Sequence, residues 1–120
     1  MSLPTLPRPA PSCASTGSIS RRARAVKTNT FAASPACLPD PEQLARVIEA
    51  GWSLAQRAAA ETGARVFADI GGNDAETASG DYLAVTERFL ELGARDFLFE
   101  TLASFDEVLP ALGRIRERVP

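Results

Sequence analysis

Three short apolar runs recur at the spacing of a strand–helix–strand unit, and this repeat restricts the chain's fold more than any other feature. The first strand candidate lies around Ala25–Phe31 and ends in Lys27-Thr28-Asn29-Thr30-Phe31. The second, Arg65–Ile70, reads Arg-Val-Phe-Ala-Asp-Ile, and the third, Asp96–Glu100, reads Asp-Phe-Leu-Phe-Glu. Helix signals lie between and after them. In Asp40-Pro41-Glu42-Gln43 the aspartate is a good cap, the proline suits the first helical position, and Gln43 sits three residues after the cap. Leu44, Val47, Ile48, Gly51, Leu54, Ala55, Ala58 and Ala59 follow at helical spacing, with Gly63 as the stop. A polar loop over roughly 73–80 leads into a second helix carrying Tyr82, Thr86, Phe89 and Leu90, stopped by Gly93. Ser104 and Glu107 form a capping box for a third helix with Val108, Leu109, Leu112 and Ile115 as its apolar stripe. Pro110 within that stripe predicts a kink or a displaced start.

The order is therefore β-α-β-α-β-α, with strand starts roughly 30 to 40 residues apart. Continuous apolar strands suit a sheet covered on both faces. Right-handed crossovers make such a sheet parallel. Two architectures fit: a doubly wound open sheet, or part of a (β/α)8 TIM barrel. No Gly-x-Gly-x-x-Gly phosphate loop is present, and Gly71-Gly72 alone is a weak signal, so the nucleotide-binding fold loses ground.

Residues 1–22 differ from the rest. They are rich in proline, serine and small residues, and they lack apolar periodicity. Such a segment does not bury enough apolar surface to offset its ordering entropy, so a disordered N-terminal tail is expected, with one domain over residues 23–120. Being serine-rich, arginine-containing and free of acid, the tail weakly resembles an organelle transit peptide. It lacks an amphipathic pattern and a secretory apolar region, so a plain extension, or upstream sequence read from a wrong start, is the simpler reading.

Charge and histidine usage exclude several functions. Residues 1–28 hold five basic residues and no acidic one, leaving eight basic against all 15 acidic residues, a charge of -7, in residues 29–120. An acidic body repels phosphate backbones, so no nucleic-acid partner is expected. No apolar run reaches the ~18 residues that a spanning helix needs, so no membrane partner is expected either. The chain has no histidine, which removes the commonest general base and metal ligand. Ser79, Thr101 and Ser104 therefore have no partner for a serine-type triad. Two distant cysteines, Cys13 and Cys37, do not make a zinc site, and a reduced cytoplasmic setting is plainer than a disulfide between them.

Each strand candidate ends in polar residues: Thr28-Asn29-Thr30, then Asp69, then Glu100-Thr101. Ligands of parallel α/β folds bind at the carboxyl ends of strands, so these residues outline a binding rim. The alternatives are structural: Asp69 bracing the Gly71 turn, or Thr28 and Thr30 as ordinary strand residues. Glu100 is the sharpest case. A carboxylate straight after Phe97-Leu98-Phe99 must be paired or hydrogen-bonded if buried, and a ligand ammonium is one such partner. Trp52 reads as packing. Arg114, Arg116 and Arg118 read as a solvated face that complements a helix C-terminus.

The same residues carry a family resemblance. Thr28-Asn29-Thr30-Phe31 resembles the Thr-Asn-Thr-Phe motif at the end of the second strand of the homocysteine S-methyltransferase family, the zinc-dependent homocysteine-binding barrel. The helix running from Val47 to Ala58 is similar to the family's second helix. Ala68-Asp69-Ile70-Gly71 resembles its third strand, with Gly72 standing where members usually have proline. Leu92–Thr101 resembles the fourth-strand segment ending in Glu-Thr, and Phe105–Leu112 continues like the helix after it. The resemblance covers residues 24–120 and implies a partial (β/α)8 barrel.

It implies methyl transfer to the homocysteine thiol, giving methionine, in the complete family domain. In the family the glutamate matching Glu100 contacts the amino group of homocysteine. Glu100, Asn29, Thr30 and Asp69 are accordingly the expected substrate-binding residues, with homocysteine or a related small thiol amino acid as ligand. The family's zinc thiolates come from later strands, and neither Cys13 nor Cys37 matches a ligand position. The resemblance thus implies no zinc on this chain, no catalytic residue within it, and no methyl transfer by it alone. It points to a truncated methyltransferase keeping part of the substrate rim, or to a non-catalytic remnant or small-molecule-binding pseudoenzyme. Open sheet edges imply self-association.

Overall fold

A computed structural model describes residues 24–72 and 76–120. The tail expected over residues 1–22 lies outside them. Strands β1 (Ala25–Lys27), β2 (Arg65–Gly71) and β3 (Asp96–Glu100) form one parallel sheet in sequence order. Lys27 pairs with Phe67, Asp69 with Leu98, and Gly71 with Glu100.

Helix α1 (Pro41–Ala60) begins where expected: the Asp40 carboxylate accepts the Glu42 N–H at 3.0 Å, and Pro41 occupies the first turn. Helix α2 (Ala78–Glu91) starts inside the expected polar loop, with Thr77 as its cap residue. Gly63 at φ +72° and Gly93 at φ +98° take the left-handed conformation that ends the two helices, a region costly for residues with a Cβ.

Two further boundaries differ from the sequence reading, each for a local reason. β1 is only three residues long, because beyond Lys27 threonine side chains take over part of its ladder, as described below. The Ser104–Glu107 capping box is present in full, yet it opens a 3-10 turn, Phe105–Val108, instead of an α-helix. Pro110 lacks an N–H and tolerates only the first helical turn, so helix α3 starts at Leu109 and ends at Arg118. Of the two outcomes Pro110 predicts, the displaced start is the one observed.

The core lies on one face of the sheet. Ala68 and Ile70 of β2 pack with Ile48 and Trp52 of α1 and with Tyr82, Val85 and Phe89 of α2. Trp52 and Phe89 meet edge to face with ring centroids 6.1 Å apart, tying α1 to α2 over that face. Fully burying a ring such as Phe89 is worth about 2–3 kcal/mol. Side chains alternate along strands, so Lys27, Arg65, Phe67, Asp69, Asp96, Leu98 and Glu100 belong to the opposite face. Among the described residues no helix packs there, and β1 and β3 each pair on one side only. No helix among the described residues is long and apolar enough to cross a membrane.

Candidate functional site

The carboxyl end of the helix-free face holds three charged groups. The Lys27 ammonium lies 3.6 Å from Oδ2 of Asp69 and 3.4 Å from Oε2 of Glu100. Parallel pairing in register explains the convergence, since all three positions share one parity along adjacent strands. The exposures differ sharply. The Lys27 side chain is 58% exposed, that of Glu100 33% and that of Asp69 2%.

Burial is the main reason that the Asp69 carboxyl is pushed up to about 7; a hydrogen bond to Glu100 and that residue's charge add to it, and Lys27 opposes it. The proton so retained lets Asp69 donate to Glu100, which is the leading reason that Glu100 is held below the usual carboxylate range. Lys27 is raised, chiefly by the Asp69 charge. The group thus behaves as a carboxyl pair with a cation laid across it. Oδ1 of Asp69 is buried and has no hydrogen-bond partner among the described residues.

Asp69 is fixed from behind by two threonines. Its backbone N–H donates to Oγ1 of Thr28 at 3.0 Å, in place of a backbone carbonyl. The Thr30 hydroxyl donates to the Asp69 carbonyl oxygen at 2.8 Å, and the two threonine hydroxyls are 2.7 Å apart. Thr28 and Thr30 are both buried, and the Thr30 methyl packs close to Gly51 of α1. Thr28→Val keeps the shape and removes the acceptor, leaving a buried N–H without a partner. It is expected to cost about 1.5 kcal/mol in urea unfolding, and an unchanged midpoint would show that the threonine pair does not hold the strand.

Beyond Glu100 the chain turns sharply. Thr101 sits at φ +57°, the left-handed region, an uncommon place for a β-branched residue. At the other end of the same face, Arg65 bonds Asp96 through two nitrogens and lies over the Phe67 ring, 5.5 Å from its centroid.

Of the four expected substrate-binding residues, Asp69 and Glu100 are brought together. Thr30 stands behind them with its hydroxyl committed to the backbone of Asp69. Asn29 lines a separate apolar cleft of about 510 Å³ between the 29–38 loop and α1, with Phe31, Leu38, Val47 and Leu54 among its walls. Lys27 was missed. The signal was available in its parity: once the strands are aligned, the chain's only lysine falls on the face of Asp69 and Glu100.

Among the described residues no group of three or more His, Cys, Asp or Glu stands close enough to hold a metal ion. Cys37 is a free, exposed thiol on the loop before α1. No protein-family model matches the chain, and no curated protein matches it either.

Proposed function

We propose that residues 23–120 form part of a (β/α)8 barrel of the homocysteine S-methyltransferase type, and that the Asp69–Glu100 pair takes the ammonium group of homocysteine or a related small thiol amino acid. One observation carries the reading: two carboxyl groups from neighbouring parallel strands converge at the strand ends around a primary ammonium, that of Lys27. Ligands of parallel α/β folds bind at this end. The sequence order of the strands, with α1 and α2 in contact over one face, supports a barrel segment over a doubly wound sheet, which places helices on both faces.

In the family, zinc supplies the chemistry by holding homocysteine as a thiolate, the nucleophilic form of the thiol. The described residues do not fit that ion: they offer no ligand cluster, and Cys37 stands alone and exposed. Their part is to bind and orient the amino acid, not to activate its sulfur. The same donor set favours, as a second reading, a pseudoenzyme that binds a small amino acid without transferring a methyl group. In either case the protein works in the cytoplasm, and the outer edges of β1 and β3 are available for self-association.

Calorimetric titration of homocysteine into the full chain tests the reading. Glu100→Gln, which keeps shape and removes charge, is expected to weaken binding about tenfold. Equal affinity in the two proteins would sink the assignment of the ammonium to this pair.

A further inference from the structure

We propose that Lys27 sets the specificity of this site: its own ammonium occupies the subsite for the ligand's ammonium, and a ligand enters only by displacing it. The inference rests on the homocysteine reading and deepens it.

Three features lead there. First, the occupant has the same chemistry as the ligand group. Lys27 is the only lysine of the chain, and its Nζ spans Asp69 at 3.6 Å and Glu100 at 3.4 Å. Second, the occupant is loosely held. Charge-assisted N–H···O bonds typically measure about 2.7–2.9 Å, so both contacts are longer than a well-made bond. The side chain is 58% exposed, so it swings into water without unpacking the core. Third, the receiving group is rigid and unfinished. Asp69 is buried and held by Thr28 and Thr30, and its Oδ1 receives no hydrogen bond among the described residues.

Two ammonium groups do not share this space, because like charges a few ångströms apart repel. Lys27 and ligand therefore exclude one another. A tethered cation competes at a high effective concentration, so a bare alkylammonium loses to it. A ligand wins only when other contacts add to its amine. The lysine thus raises by one common factor the concentration that every ammonium ligand needs, a threshold that amino acids, with their further contacts, pass before simple amines do. It makes no contact with reacting atoms and is a specificity residue, not a catalytic one.

The single lysine makes the test direct. The full chain is labelled with [15N]lysine, and the Lys27 ammonium resonance is followed by NMR. Three ligands are titrated: homocysteine, 3-mercaptopropylamine (no carboxylate) and 4-mercaptobutanoate (no amine). Homocysteine is expected to move the Lys27 resonance toward that of a free lysine, 3-mercaptopropylamine to do so only at much higher concentration, and 4-mercaptobutanoate to leave it in place. Calorimetry with Lys27→Met is expected to show both amines binding about fivefold tighter, with 4-mercaptobutanoate unchanged. A variant that binds homocysteine more weakly, yet 3-mercaptopropylamine as before, would show that Lys27 reads the carboxylate, and would overturn the proposal. Binding that is lost in Glu100→Gln but not tightened in Lys27→Met would leave the homocysteine reading standing and remove the competition. No binding to wild type or to Lys27→Met would remove both. Should Lys27→Met not fold, the wild-type resonance decides alone: a signal unmoved at saturating homocysteine rules displacement out.

Discussion

Gly71→Ala is expected to destabilise the chain by about 3 kcal/mol, read as a fall in the urea midpoint at unchanged slope. Gly71 closes β2 and pairs with Glu100. A Cβ at this position would lie 2.0 Å from the Glu100 carbonyl oxygen and 3.0 Å from its carbonyl carbon. Both are backbone atoms, so no rotamer change relieves the clash, and β3 itself must move. Since β3 carries Glu100, the variant should also disturb the Asp69–Glu100 pair, and with it the homocysteine binding proposed above. Gly80 supplies the control: it lies in α2, and a Cβ added there would meet nothing within 4 Å, so Gly80→Ala should be neutral or mildly stabilising. Equal stability of Gly71→Ala and wild type would mean that β2 and β3 do not meet in this register.

The second large effect is on pH dependence. Asp69 is raised from an ordinary 3.8 to about 7, so between those values the folded chain holds a proton that the unfolded chain has released. Stability must then fall as pH rises through this window. The expected loss is about 2 kcal/mol between pH 5 and pH 7.5. The other two members of the cluster act elsewhere. Glu100 is lowered from 4.5, so its contribution is present above that value and is lost only as pH falls below it. Lys27 is raised from 10.5, so its contribution is intact below that value and is lost at higher pH. Asp69→Asn cannot ionise and should flatten the profile between pH 5 and pH 7.5. Parallel urea titrations at the two pH values measure this, and a slope that survives in Asp69→Asn would assign it to another group.

Much of the fold was legible because the local signals agree with one another. Asp40-Pro41 set the start of α1, Gly63 and Gly93 ended two helices, and the apolar runs at Arg65 and Asp96 became β2 and β3. The extent of β1 was not legible. Whether Thr28 continues a strand through its backbone or through its hydroxyl depends on where Asp69 lies, 41 residues away. The start of α3 was open for a related reason: the capping box and Pro110 favour different first turns, and the structure accommodates both in succession. At the site, Asp69 and Glu100 announced themselves as carboxylates at strand ends. Lys27 did not, because its relevance comes from strand register and not from any neighbour in sequence. By sequence Asn29 and Thr30 are equivalent candidates, yet the pleat and the turn at 30–33 send them to different surroundings.

The hydroxyl that replaces a carbonyl at Thr28 also has a bearing on how this chain drifts over generations. A pair of backbone groups tolerates almost any residue, so mutation along such a ladder leaves little trace. Here the support for Asp69 is written into one side chain, and only serine or threonine supplies an equivalent oxygen at that position. Loss of that oxygen strands a buried N–H whatever the carboxyl pair is used for, so substitution at residue 28 is restrained by folding itself, and a side chain here carries a constraint that elsewhere in a sheet rests on the backbone alone.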